Sequence, residues 1–227
     1  MNGDARAATV ERARLRDGSE VLIRPIAADD KALLVDAFER LSEESRYRRF
    51  LSPVRELTSE DLSYLTEVDH RRHEALIAIE PDSGSGIGVA RFVKVPASPD
   101  AAEVAVTVVD DWQGRGLGTL LMERLTDRAR ELGVRRYRAL VAPSNRRMVD
   151  VLDRIGPVRR ETAEGGAIEY EVELPPEGIG DRLRRALRAA GSGRVLFEWT
   201  VAHLPDREPP RRHWLLKALP RQGGDRS

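Results

Sequence analysis

The chain has 227 residues, 41% apolar and 33% charged, with acidic and basic residues in equal number and no cysteine. This is the composition of a soluble globular domain with a tail, and it excludes a disulfide framework, a thiolate metal site and a cysteine nucleophile. No apolar run nears the roughly 20 residues of a bilayer span, and polar Met1 to Gly18 lacks a signal peptide's apolar stretch, so a cytoplasmic protein is expected.

Taken in chain order, Glu20 to Ile26 alternates apolar and polar residues before a proline and predicts a first strand. Asp29 or Asp30 then suits the cap of a helix running to Arg40. Ser42 to Phe50 predicts a short second helix. Thr58 with Asp61 three residues on has the form of a capping box and opens a third, ending near Val68. The Val- and Ile-rich runs Ala75–Ile79, Ile87–Val95 and Val104–Val109 predict a strand meander. Leu117, Leu121, Leu125, Ala129 and Leu132 recur at helical spacing up to Gly133, where a C-terminal glycine belongs. A strand over Tyr137–Val141, a helix over Asn145–Ile155 and a hairpin of Val158–Thr162 with Ile168–Leu174 across Gly165-Gly166 complete the unit. Beyond Pro175 and Pro176 lie a basic helix, Arg182–Ala190, and a tail without clear period. Residues 181–227 carry eleven basic against five acidic residues. That helix suits an acidic partner, nucleic acid or a membrane surface, but its shortness favours docking onto its own domain. The expected divisions are 1–18, 19–176 and 177–227.

The most informative segment is VAVTVVDDWQGRGLGTLL, Val104 to Leu121, in which a strand runs through a glycine-rich turn into the long helix. Gly114, Gly116 and Gly118 let backbone N–H groups face inward without Cβ obstruction, and the helix start adds partial positive charge. A pyrophosphate suits such a turn. Arg115 either adds charge at its rim or is solvated. The spacing fits neither G-x-G-x-x-G nor G-x-x-x-x-G-K-[ST]. SGSGIG, Ser83 to Gly88, joins two predicted strands and reads as a plain hairpin turn.

Gln113, Gly116 and Gly118 match [RQ]-x-x-G-x-[GA], so residues 20 to 175 resemble the GNAT acetyltransferase superfamily. The runs LSEESRYRRFLSP, YLTEVDHRRHEALIA and AEVAVTVVDDWQGRGLGTLL resemble, more narrowly, the acetyltransferase domain of bacterial Pat-type protein-lysine acetyltransferases. The resemblance implies an α/β (α+β) fold with a mixed, mostly antiparallel seven-stranded sheet, splayed between the strand ending at Val109 and the one starting at Tyr137. It implies acetyl-CoA as cosubstrate, with its pantetheine arm beside Val106, Thr107 and Val108 and its pyrophosphate on Gln113, Gly114, Arg115, Gly116, Leu117, Gly118 and Thr119. Asn145 resembles an asparagine directed at the cofactor and reads equally as a helix cap.

An amine must be neutral to attack a thioester, so a base is needed. Glu103, ten residues before Gln113, stands at the head of its predicted strand and is either that base or a solvated strand-end carboxylate. The backbone N–H of Val106 is the expected oxyanion donor. In the family pattern L-Y-E-K-x-G-F the tyrosine protonates the thiolate; here the stretch is Val151 to Pro157, with Leu152 in the tyrosine place, leaving water or Ser144. His70 and His73 lack the partners of a metal site, and none is expected. Arg46, Arg48 and Arg49 read as a solvated basic face or as substrate contacts. The leading reading is acetyl transfer from acetyl-CoA to a protein lysine. Its rivals are a small-molecule amine acetyltransferase and a noncatalytic acyl-CoA-binding module. A homodimer stays open; neither nucleic acid nor a membrane is expected as a partner.

Overall fold

A computed structural model of the chain describes residues 10–162 and 167–176. The Gly165-Gly166 turn, the basic helix expected at Arg182–Ala190 and the tail lie outside the described residues. The strands are β1 (Glu11–Arg14), β2 (Glu20–Pro25), β3 (His73–Ile79), β4 (Gly86–Val95), β5 (Ser98–Val108), β6 (Arg136–Val141), β7 (Val158–Thr162) and β8 (Ile168–Glu173). The helices are α1 (Lys31–Glu39), α2 (Glu43–Phe50), α3 (Ser59–Thr66), α4 (Leu117–Glu131) and α5 (Arg146–Ile155). None of them is long and apolar enough to cross a membrane.

The strands form one eight-stranded sheet in the order β1-β2-β3-β4-β5-β6-β8-β7. Seven were expected. The extra one, β1, falls in the stretch set aside as an N-terminal extension and pairs antiparallel with β2 from Glu11↔Ile23 to Arg14↔Glu20. Its ERAR sequence has no apolar alternation to betray it. It is held by backbone pairing and by Glu11, whose two carboxylate oxygens each accept from Arg124 Nε on α4 at 2.9 Å.

Register decides the two faces, since directly opposed residues share one. Glu74, Leu76 and Ala78 oppose Phe92, Ala90 and Gly88, which oppose Val104, Val106 and Val108. This face packs on α4 through Leu117, Leu121, Met122, Leu125 and Ala129, all at most 1% exposed. The other face presents Ala75 and Ile77 of β3, Val89 and Arg91 of β4 and Glu103, Ala105 and Thr107 of β5. There α1 and α3 pack through Leu34 and Leu65.

Local chemistry sets the helix starts. Thr58 and Asp61 form the expected capping box, each side chain accepting from the other's backbone N–H at 3.2 and 3.0 Å. Asp30 stands before α1 but does not cap it with its side chain. Its carboxylate turns back to a two-pronged pair with Arg24 at 2.6 Å and accepts from Ala27 N–H at 2.7 Å. Burial opposes its charge most strongly, but the Arg24 pair and the Ala27 N–H together overcome it and hold the carboxyl below its usual range.

Candidate active site

β5 is antiparallel to β4 at Ser98 and continuously from Ala102 to Val108 but parallel to β6 over only three residue pairs, Ala101↔Arg136 to Glu103↔Arg138. β6 then leaves to pair with β8 through Val141↔Ile168. Beyond Glu103, therefore, the β6-facing edge of β5 from Val104 to Val108 has no strand partner among the described residues. Backbone polar groups in a sheet require partners. An edge of this kind opening inside a sheet accepts an extended ligand as it would accept another strand.

The glycine turn lies at the mouth of this fork. A single helical turn, Asp110–Trp112, carries the chain off β5, and Gly114 and Gly116 adopt φ of +77° and +94°. Gly116 is the residue before α4, and no side chain caps that helix start. The first N–H groups of α4 thus lack the usual side-chain acceptor, and no acid sits in the first turn. At Gly118 a Cβ would meet only Val108 Cγ2, at 3.7 Å, so packing within the protein does not require glycine there. The protein itself leaves the space beside it open.

Gln113 does not point its amide outward. Its Nε2 donates to Val108 O, Ser45 Oγ and Asp110 Oδ1 at 2.9–3.1 Å, and its Oε1 accepts from Arg147 at 3.0 Å. It ties together α2, the end of β5 and α5 around the turn. Asp110 completes the knot by accepting from Ser42 N–H at 3.0 Å and Ser45 Oγ at 2.5 Å. Burial opposes the charge of Asp110, and the Ser42 and Ser45 bonds keep its carboxyl below the usual range. Arg115 lies over the Trp112 ring at 4.8 Å and reaches Asp17 at 3.5 Å. Arg16, in the β1–β2 turn, was not singled out from the sequence. A Cβ on Gly116 would stand 3.6 Å from its Nε.

Glu103 is not at a strand end. β5 begins at Ser98, six residues before the predicted start at Val104, because Ser98 pairs with β4, Ala101 with β6, and Ala102 and Glu103 with both. Glu103 is half-buried, on the last parallel pair before the fork, facing the α1–α3 side with Ala105 and Thr107. Thr107 therefore faces that cleft, while Val106 and Val108 face α4.

The model for the acetyltransferase (GNAT) domain matches residues 20–158. The chain belongs to the GNAT acetyltransferase family. It is 37% identical over 188 residues to Acetyltransferase Pat of Mycolicibacterium smegmatis, covering 78% of this chain and 56% of that relative, so it spans little more than half of it. The GNAT domain of S. lividans PAT superposes with a TM-score of 0.67 at 35% identity, covering 73% of this chain and 97% of that one. A cAMP-binding acyltransferase from Mycobacterium smegmatis gives 0.54 at 30% identity, over 82% of this chain and 54% of that one. The yncA protein of Salmonella typhimurium, solved with its cofactor acetyl-CoA, shares the fold at 19% identity and a TM-score of 0.56, over 70% of this chain and 96% of that one.

Against the GNAT pattern the α5 region has a clear departure. Leu152, in the tyrosine place, is fully buried in the core. Gly156 of the same pattern is kept for a steric reason: a Cβ there would stand 2.0 Å from the Glu173 carbonyl oxygen. Asn145 acts as a cap, its side chain accepting from Met148 N–H at 3.2 Å. Ser144 is exposed at the helix entry.

The basic stretch of α2 is neither a uniform solvated face nor a uniform substrate rim. Arg48 pairs with Glu44 at 2.5 Å. Arg46 lies over Phe38 at 4.4 Å and donates to the carbonyls of Glu39 and Arg55. Arg49 alone of the three turns to a cavity of about 60 Å³ between α1, α2 and the β4–β5 face, with Arg91 as a second wall. Arg91, 4% exposed, donates to Leu65 O and to His73 Nε2, each at 3.1 Å. Guanidinium has no acceptor, so His73 presents the lone pair of Nε2 and carries its proton on Nδ1. Burial drives the His73 pKa well below its usual value, and Arg91 adds to the effect, so the ring is neutral at pH 7. The strand sequence GVARFVKV held the signal for Arg91, a charge set among apolar residues, with Lys94 the strand's other charge.

Proposed function

We propose that the chain transfers the acetyl group of acetyl-CoA directly to a primary amine, with a lysine of a protein as the acceptor. The observation that carries this reading is the fork between β5 and β6, with an uncapped glycine turn at its mouth and a half-buried glutamate at its apex. The pantetheine arm lies along Val106, Thr107 and Val108 as an added strand would, and the pyrophosphate rests on the amides from Gln113 to Thr119. The amine enters from the α1–α3 side. Glu103 takes the ammonium proton, directly or through one water, because a lysine amine of pKa about 10.4 is otherwise charged at pH 7. The nitrogen then bonds to the thioester carbon, and the N–H of Val106 holds the oxygen as it gains charge. The C–S bond breaks, and the proton that the new amide nitrogen sheds passes through water or Ser144 to the departing thiolate, since Leu152 offers no side-chain acid. The likeness to Pat supports a protein lysine as the acceptor.

Replacing Glu103 with Gln tests the assignment. Turnover is expected to fall about 100-fold or more with the acetyl-CoA Kd unchanged, because binding and proton transfer use different groups. Equal rates for the two proteins from pH 6 to 9 would make Glu103 a bystander. The buried Leu152 favours one second reading, a noncatalytic acyl-CoA-binding module. That reading requires acetyl-CoA binding without transfer to lysate proteins or to a panel of amines.

A further inference from the structure

We propose that Arg49 and Arg91 form a carboxylate-reading end of the acceptor cleft, so that the preferred amine is one carrying a carboxylate beside it. This rests on the acetyl-transfer reading above and names the acceptor's chemistry. Both guanidinium groups line one cavity, whose other walls are largely apolar: Leu34, Phe38, Phe50 and Leu65 from the helices, Val89 and Ala105 from the sheet. The sheet wall is the face that carries Glu103, so an anchor there lies beside the reacting amine.

The charge balance of the cavity demands an anion. Neither Arg49 nor Arg91 has an acid within salt-bridge distance among the described residues. Arg91 gives two of its five N–H donors to a carbonyl and a neutral imidazole. Arg49 stacks on the Phe50 ring at 4.9 Å. Tyr64, whose ring lies 5.0 Å from that of His73, is kept in its neutral form by burial, which raises its pKa. Glu103, diagonal to Arg91 across the β4–β5 ladder, offers one charge against two, and the reaction needs it for the ammonium proton. Burial pushes Arg91 down to about 9 and Arg49 to about 10, with Arg49 adding to the load on Arg91. Two cations in apolar walls, one of them deeply buried, are relieved by a planar anion that a guanidinium can grip with two bonds. A carboxylate fits that geometry. Two kinds of acceptor supply one, an acidic residue beside a protein lysine and the α-carboxylate of a free amino acid.

The test uses the full chain, and variants at Arg49 because the deeply buried Arg91 is the riskier site for folding. Glutarate serves as the probe by calorimetry, with glutaramide as its uncharged control. Acetylation rates are measured on lysine peptides flanked by Asp against the same peptides flanked by Asn, and on free lysine against lysinamide. The expected result is glutarate binding without glutaramide binding, and a KM at least tenfold lower for the carboxylate member of one pair. Arg49→Gln should erase both preferences while leaving the acetyl-CoA Kd unchanged, and Arg49→Lys should restore part of them. The peptide pair and the lysine pair separate the two sources of the carboxylate. Transfer that proceeds equally well with carboxylate and carboxamide acceptors would overturn the pocket and spare the acetyltransferase. Glutarate binding that depends on Arg49, with no amine acetylated, would sink the transferase reading and keep the pocket.

Discussion

Gly118 separates what the protein needs from what a ligand needs. Gly116 is glycine for backbone reasons, since φ of +94° strains any L side chain. Gly118 is inside α4, where a Cβ makes ordinary contact at 3.7 Å, and where glycine costs a helix roughly 1 kcal/mol relative to alanine. Valine there should therefore leave thermal stability within about 0.5 kcal/mol of the parent, the helix propensities of the two residues being close. Its two methyl groups should nevertheless fill the space over the helix start, and acetyl-CoA affinity should drop at least tenfold by calorimetry. A Gly118→Val protein that melts like the parent and binds acetyl-CoA equally well would remove the pyrophosphate from this turn.

At the scale of elements, the β1–β2 hairpin delivers Arg16 to the glycine turn, and this was invisible in the sequence for a definable reason. Leu15 is the single buried anchor of the hairpin's turn, and the Glu11–Arg124 clamp joins residues 113 apart. Neither leaves a local period. The three helices, the meander and the long α4 were legible because burial on one face writes 3.6- or 2-residue spacing into the chain. Gln113 and its glycines were legible as a motif. The work of Gln113 was not, since its partners come from Ser45, Val108, Asp110 and Arg147, four separate places. The position of Glu103 within its strand was misread, because that strand extends through Ser98-Pro99-Asp100, residues that read as a turn. The hairpin carries a prediction of its own. Arg16 is exposed beside Gly116, so it should meet phosphate oxygens at modest strength. Arg16→Ala should raise the acetyl-CoA Kd about three- to tenfold at low salt, and the difference should shrink as salt screens the contact. A Kd unchanged at low ionic strength would leave Arg16 outside the cofactor site.

For the molecule as a whole, the sheet is two arms joined by three residue pairs, β1 to β5 on one side and β6, β8 and β7 on the other. The core under α4 spans that joint, with Phe92 and Val104 from one arm and Tyr137 and Val172 from the other. The arms therefore cannot close on each other without moving α4, and the open edge from Val104 to Val108 persists until something pairs with it. Amides on such an edge exchange readily, whereas those in a continuous ladder open only with larger unfolding. Acetyl-CoA at 100 times its Kd should add about 2.7 kcal/mol of stability and raise Tm by roughly 5–10 °C. Its distribution is the more telling measurement. Hydrogen exchange should slow in two segments, 104–108 and 113–119, the first by only part of its amides because alternate groups already bond to β4. The β3 segment His73–Ile79, paired on both sides, should show no more than the global effect. Protection of the glycine turn with no change at 104–108 would mean that the pantetheine arm does not lie along β5. The proton acceptor would then have to be sought away from Glu103, because the apex of the fork would no longer face the thioester.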